Sequence, residues 1–214
     1  DVIIINIPTP VDKKKKPDYS HIEKTCKDVG MSLRSGSLVI FQSILGPGIT
    51  ETLAKETLEN ASGLWAGIDF GLAYCPVCAT AGRVLEDVTT RRRVVGAINQ
   101  QSLDTACLIL ETITKGEIVK VKDIKTAEAA KLFERACQDV NVTLANEFAH
   151  FCEKTGIDFA ETWNAVNPQP HNCLEVPGTS DIHTPEDSYL LVEEAEAINV
   201  KLRMLTLAKK INDE

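Results

Sequence analysis

The sequence predicts an α/β domain followed by an all-α domain, and two observations carry this. Up to about residue 122, short apolar runs alternate with stretches of helical periodicity. That grammar belongs to a mostly parallel sheet covered by helices on both faces. Beyond that point the strands stop, and a proline-free helical pattern runs from Lys125 to about Lys154, with further helical patterns after it. The expected division is residues 1–122 and residues 123–214.

The elements follow in order. Residues 1–7 hold the apolar run Val2-Ile3-Ile4-Ile5-Asn6-Ile7, a buried strand that Pro8-Thr9-Pro10 ends, because proline cannot continue a ladder. Asp12 to Asp18, with four lysines, is a solvated turn. Ser20 opens a helix. Glu23 three residues on completes a capping-box pattern, and Ile22, Cys26, Val29 and Leu33 follow at helical spacing. Ser37–Phe41 is the second strand, Gly46-Pro47-Gly48 a loop, and Thr50 is expected to cap a helix running to about Leu58. Asp69–Tyr74, Arg93–Ala97 and Glu117–Val121 are the remaining strands, with a helix opening at Ser102. In the second domain Phe159–Val166 is a short helix. Residues 167–187 are irregular, with prolines at 168, 170, 177 and 185. A last helix runs from Ser188 or Tyr189 to Ile211, with a break near Asn199.

Composition excludes several function classes. A hydrophobic fraction of 43% and a charged fraction of 25% are those of a folded globular chain. The net charge of −8 offers no basic face to a phosphate backbone, so nucleic acid is not an expected partner. No apolar run reaches 18 residues and no secretory signal opens the chain, so no membrane role is expected. Seven cysteines, an odd number scattered through helices and strands, read as free thiols in the cytoplasm rather than as a disulfide framework. The chain opens on Asp1, directly into a buried strand pattern, and stops in or just after a helix; a piece of a longer chain is expected.

The order of motifs resembles the UDP-glucose/GDP-mannose dehydrogenase family, and most closely its UDP-N-acetyl-mannosamine/glucosamine branch. The motifs are Asp1-Val2-Ile3-Ile4-Ile5-Asn6-Ile7-Pro8-Thr9-Pro10, Gln42-Ser43-Ile44 with Gly46-Pro47-Gly48, Leu72-Ala73-Tyr74-Cys75-Pro76, and Val94-Val95-Gly96. The run Thr126-Ala127-Glu128-Ala129-Ala130-Lys131 follows, then Pro177-Gly178 and Asp187-Ser188-Tyr189. The resemblance spans essentially the whole chain. It implies that residues 1–122 are the second half of a Rossmann-type NAD-binding domain, without the opening βαβ unit and its GxGxxG turn. It implies that residues 123–214 are the helical central domain through which such enzymes dimerise. It further implies NAD as cofactor, a UDP-sugar as ligand, and oxidation of the sugar C6 alcohol to a carboxylate through a cysteine-bound thiohemiacetal.

Residue by residue, the implied site departs from the family pattern. The cysteine nucleophile position, after Pro177-Gly178, is His183, while the aspartate four residues later is retained as Asp187. The lysine is retained as Lys131, but the asparagine one turn on is Arg135, and the arginine after it is Gln138. The glutamate of the loop after the third strand is Val77 and the arginine beside it is Cys78. The Glu-Ser-Thr turn at the nicotinamide reads Gln42-Ser43-Ile44, the His-x-Arg pair reads Asn167 and Gln169, and the cofactor-touching threonine is retained as Thr9. Lys131, Asp187 and His183 are therefore the candidate catalytic positions, and Thr9 and Ser43 the candidate cofactor contacts. Groups that act as a unit fail together, so the chain is expected not to oxidise a nucleotide sugar to its acid. The alternative is a non-catalytic relative serving as a dimerisation or regulatory scaffold.

Other motifs carry less. Cys75-Pro76-Val77-Cys78 is a CxxC that, with His183 or with His171 and Cys173, would be an acceptable zinc set. No second CxxC accompanies it, and buried inert thiols are the expected reading, so no metal is assigned. Arg91-Arg92-Arg93 decorates the approach to a strand, and Trp65 and Trp163 are core or interface aromatics. Ala130, Phe133, Cys137, Val140, Leu144 and Phe148 recur on one side of the long helix, the face expected to pair two copies into a homodimer.

Overall fold

The computed structural model describes residues 1–77, 82–168, 174–178 and 187–212. Five strands form one sheet in the order β1 (Val2–Ile5), β2 (Leu38–Phe41), β3 (Gly71–Tyr74), β4 (Arg93–Ala97), β5 (Ile118–Lys120). β1, β2 and β3 are parallel neighbours, β3 and β4 are antiparallel, and β4 and β5 are parallel again. The sheet is therefore mostly parallel, with one reversal.

Alternation along the strands builds two cores, one on each face. Val39, Phe41, Leu72 and Tyr74 point to the side covered by α1 (Ser20–Gly30), α2 (Lys55–Ser62) and the first turn of the long helix. Leu38, Ile40, Ala73 and Cys75 point to the side covered by α4 (Gln100–Glu111). β2 is buried at all four positions, which is why it reads as a continuous apolar run.

The second half is built on α5 (Ile124–Thr155), 32 residues long and so ~48 Å from end to end. Asp123 caps it by accepting from the Thr126 N–H at 2.7 Å, and Gly156 ends it at φ 75°, a left-handed position that suits glycine. α6 (Phe159–Val166) follows, and α7 (Asp187–Ala197) and α8 (Arg203–Asn212) pack back on α5. Their shared core is Leu132, Leu190, Leu191 and Leu205, with Ile44 and Val11 from the first half at its edge. The break near Asn199 is real: that residue sits at φ 58°, between α7 and α8.

Two local expectations are corrected, and one helix was not anticipated. The Ser20–Glu23 capping box does not form. Asp18 Oδ1 accepts from the Ser20 N–H at 2.9 Å, and an ionised carboxylate is a stronger acceptor than a hydroxyl. Glu23 pairs instead with Lys27 at 2.7 Å. Thr50 does not cap a helix; it begins a π-helical turn, Thr50–Ala54, that runs into α2, and its hydroxyl is directed at α5. The helix α3 (Val84–Thr90) has no counterpart in the sequence reading, because it buries only Asp87 and so lacks an apolar stripe.

Gly96 makes a close backbone approach between the two halves. A Cβ there would lie 2.3 Å from the Asp123 carbonyl oxygen, which is backbone and cannot swing aside. Gly96→Ala is expected to destabilise the chain by ~2 kcal/mol in urea unfolding, within the range for overpacking. An unchanged midpoint would show that the junction has slack.

Candidate active site

Parallel strands place their following loops at one end of the sheet, and the site grows from there. The backbone N–H of Ile7, just past β1, donates to Ser43 Oγ at 2.9 Å. Thr9 Oγ1 donates to the Ile44 carbonyl at 2.8 Å. Ser43 is buried. The two candidate cofactor residues thus meet across the carboxyl ends of β1 and β2, where α/β sheets open a crevice for dinucleotides. Each hydroxyl ties one loop to the other.

The long helix packs against β3, β4 and the Thr50–Ala54 turn, and its inward face is polar. Ile124, Ala127, Glu128, Lys131, Leu132 and Arg135 recur at helical spacing and are all buried. Glu128 is fully buried. Its carboxylate accepts from the Gly48 N–H, the Thr50 N–H at 2.9 Å and the Thr50 hydroxyl at 2.6 Å. Burial pushes its carboxyl up to about 7, against the pull of those three donors.

Lys131 is one turn further on, and its Nζ lies 2.9 Å from Glu134 Oε2. It borders a small cavity of about 40 Å³ formed with Pro76, Arg92, Val94, Ala130 and Glu134. Arg135 is another turn along. Its Nε lies 3.3 Å from Asp187 Oδ2 and its Nη1 donates to Gln138 Oε1 at 3.1 Å. Both partners of the ion pair are buried. A second buried pair, Lys209–Asp139 at 3.4 Å, joins α8 to α5. Two ammonium groups, those of Lys209 and Lys15, sit 4.8 and 4.9 Å from the ring centre of Tyr189.

The structure therefore brings Thr9 and Ser43 together, and Lys131 and Asp187 on to neighbouring turns of the α5 contact. His183, Cys78, Cys173, His171 and Gln169 lie outside the described residues. Cys75 is packed against Ala73 and Cys107, and burial lifts its thiol to about 11, so at neutral pH it is a protonated packing group. No group of three His, Cys, Asp or Glu positioned for a metal occurs among the described residues. Asn167, aligned with a substrate-reaching histidine, is spent on its own chain. Its amide brackets Leu174, accepting from the N–H at 2.9 Å and donating to the carbonyl at 2.8 Å, and Trp163 Nε1 donates to the same carbonyl. The arginines 91, 92 and 93 are likewise occupied, by Asp87, Glu117 and the Pro76 carbonyl.

Sequence reasoning missed two features. Glu128 drew no attention, and Arg135 was read only as a lost asparagine, not as the partner of Asp187. The signal was present: ionisable residues at 128, 131 and 135 fall on the same stripe as Ile124, Ala127 and Leu132. A charge in a core stripe needs a partner from elsewhere in the fold.

Comparison with known proteins agrees with this geometry. Residues 1–114 match the NAD binding domain of the UDP-glucose/GDP-mannose dehydrogenase family, and residues 125–214 match its central domain. The UDP-N-acetyl-D-mannosamine dehydrogenase of Pyrococcus horikoshii is 32% identical over 100% of this chain and 50% of its own length. The UDP-N-acetyl-D-glucosamine 6-dehydrogenase of Pseudomonas aeruginosa is 29% identical over 100% of this chain and 51% of its own. The solved structure of the Pyrococcus horikoshii enzyme superposes with a TM-score of 0.91 at 31% identity, covering 99% of this chain and 50% of that one. The chain spans about half the length of the curated relatives it matches.

Thiol reactivity checks the site's interior. Cys75 is buried. Iodoacetamide at pH 8, followed by peptide mass spectrometry, is expected to reach Cys75 only on unfolding. Labelling of Cys75 in the folded chain would contradict its packed, protonated state.

Proposed function

Because the chain belongs to the UDP-glucose/GDP-mannose dehydrogenase family, we propose that it is a nucleotide-sugar dehydrogenase of the UDP-N-acetyl-mannosamine/glucosamine type in descent, and a non-oxidising scaffold in practice. The observation that carries this is the Arg135–Asp187 ion pair. In the family pattern an asparagine at position 135 and a cysteine at position 183 attend the reacting carbon. Here a guanidinium reaches from that turn of α5 to within 3.3 Å of the carboxylate of Asp187, a contact internal to the protein. Val77, replacing a glutamate, adds no general base. A histidine at position 183 forms no durable aldehyde adduct, so the second oxidation has no covalent intermediate to start from.

NAD fits the crevice to this extent: Thr9 and Ser43 stand at the carboxyl ends of β1 and β2, and Ser43 is buried there with its hydroxyl oriented by the Ile7 N–H. When bound, NAD would supply the hydride acceptor. The residues of this chain that would attend it are the two hydroxyls and the Gly46–Thr50 loop.

The second reading is an active NAD-dependent dehydrogenase, favoured by the retention of Lys131, Asp187, Thr9 and Ser43. The two readings separate in an absorbance assay at 340 nm with NAD and UDP-N-acetyl-mannosamine. No NADH is expected from the chain. Turnover proportional to its concentration, lost in Lys131→Ala, would overturn the scaffold reading.

A scaffold needs a partner surface, and we assign it to α5. Phe133, Leu144, Phe148 and Phe151 are exposed there, with Cys137 between them. Aromatics of this size along one helix face leave too much apolar area in water for a stable monomer surface, and a second copy offering the same face would cover it. Sedimentation at micromolar concentration is expected to give a dimer, and Phe148→Asp a monomer with an unchanged far-ultraviolet spectrum. A monomeric parent chain would contradict the assignment. Free buried cysteines suit a reducing compartment, and no helix among the described residues is long and apolar enough to cross a membrane, so the cytoplasm is the proposed location.

A further inference from the structure

We propose that the cleft at the amino ends of β2 and β3, under the first turn of α4, binds a small neutral polyhydroxyl compound of three or four carbons. Two buried hydroxyls carry the case. Ser37 and Ser102 are 3% and 4% exposed, and both line the cleft. Neither hydroxyl has a hydrogen-bond partner among the described residues. They flank one glycine. The Gly71 N–H donates to the Ser37 carbonyl at 2.8 Å, and a Cβ on Gly71 would come within 3.0 Å of Ser102 Oγ. A hydroxyl buried without a partner is costly, so a ligand that pairs it is favoured.

The rest of the lining selects the class of ligand. Asn99 is spent: its Oδ1 accepts from the Ser102 N–H at 2.8 Å, and its Nδ2 donates to the Gly67 carbonyl at 2.9 Å. The Thr105 hydroxyl donates to the Gln101 carbonyl at 2.8 Å. One donor remains, the N–H of Gln101 in the first turn of α4, which has no partner within the helix. One acceptor remains, the Asp69 oxygen that does not take the Trp65 N–H. The two hydroxyls do both. An anion would meet Asp69, with no lysine or arginine lining the cleft among the described residues. A cation would find one carboxylate and face the positive end of α4. An apolar molecule would leave both hydroxyls unpaired. Adjacent alcohol groups, each donor and acceptor at once, satisfy all four.

Size and position fit a separate site. The cleft has a volume of about 110 Å³. One water needs ~10–15 Å³, so the space holds roughly eight waters, the bulk of a three- or four-carbon polyol. Ser37 precedes β2 and Ser43 follows it, so the cleft and the Thr9–Ser43 crevice lie at opposite ends of the strand, ~20 Å apart. A compound of this size reaches one end only. Its binding therefore needs neither NAD nor the Arg135–Asp187 pair, and does not depend on whether the chain oxidises a sugar.

Titration of the whole isotope-labelled chain with erythritol, followed through its amide resonances, tests this. Saturable shifts are expected at Ser37, Gly71 and Gln101, with Ile7 and Ser43 unmoved. Tetramethylene glycol keeps the four carbons and the end hydroxyls but lacks the inner pair, and is expected to leave all five amides in place. Ser102→Ala is expected to weaken erythritol binding by ~10-fold, through loss of one hydrogen-bond partner. Shifts that grow without saturating, equal shifts with the glycol, or unchanged affinity in Ser102→Ala would each overturn the site and leave the cleft to water. Should Ser102→Ala fail to fold, Ser37→Ala decides. It must show the same loss, and an unchanged erythritol affinity overturns the proposal.

Discussion

Everything in this fold hangs on the way one polar helix face is buried. α5 turns Glu128, Lys131 and Arg135 inward, among Ile124, Ala127 and Leu132. A helix whose core stripe holds three ionisable residues cannot be buried by apolar contact alone. Each needs a partner, and the partners come from different places. Glu128 takes donors from the loop after β2, Lys131 takes Glu134 from its own helix, and Arg135 takes Asp187 from the start of α7. Through these contacts one helix fixes the sheet, the crevice loops and the last two helices relative to one another.

The energetics of such contacts are lopsided. A buried ion pair returns little more than its desolvation cost, yet removing one partner leaves an unpaired charge in a dry site, which typically costs ~3–5 kcal/mol. The Arg135–Asp187 pair is therefore self-maintaining: neither residue can change alone without loss. An asparagine at position 135 would leave Asp187 available to a ligand, whereas arginine commits it. Arg135 also gives up a nitrogen to Gln138, which stands where the family pattern has an arginine. The substitutions at 135 and 138 thus support one another.

Much of the fold was legible because periodicity is set by backbone geometry. β4 and α6 fall where their patterns place them, and the long helix begins one residue from the expected position, since Asp123 and Gly156 mark its ends chemically. α3 was not legible, because a helix that buries little leaves no stripe. Capping was misread at Ser20 and Thr50, where competing partners, Asp18 and Glu128, are supplied by turn geometry or by distant sequence. The reversal between β3 and β4 is likewise a tertiary fact, invisible in either strand alone. Of the candidate site, Thr9, Ser43, Lys131 and Asp187 could be named through family resemblance. That Arg135 answers Asp187 across 52 residues needed the fold.

The claim that Arg135 commits Asp187 to a contact within the protein is tested most directly by a double-mutant cycle on Arg135→Met and Asp187→Leu, read by urea unfolding. Each single change should be costly and the double change nearly neutral, giving a coupling of ~3 kcal/mol. Additive single effects, with a coupling within ~0.5 kcal/mol of zero, would mean that the two side chains do not hold each other and that Asp187 is open to a ligand.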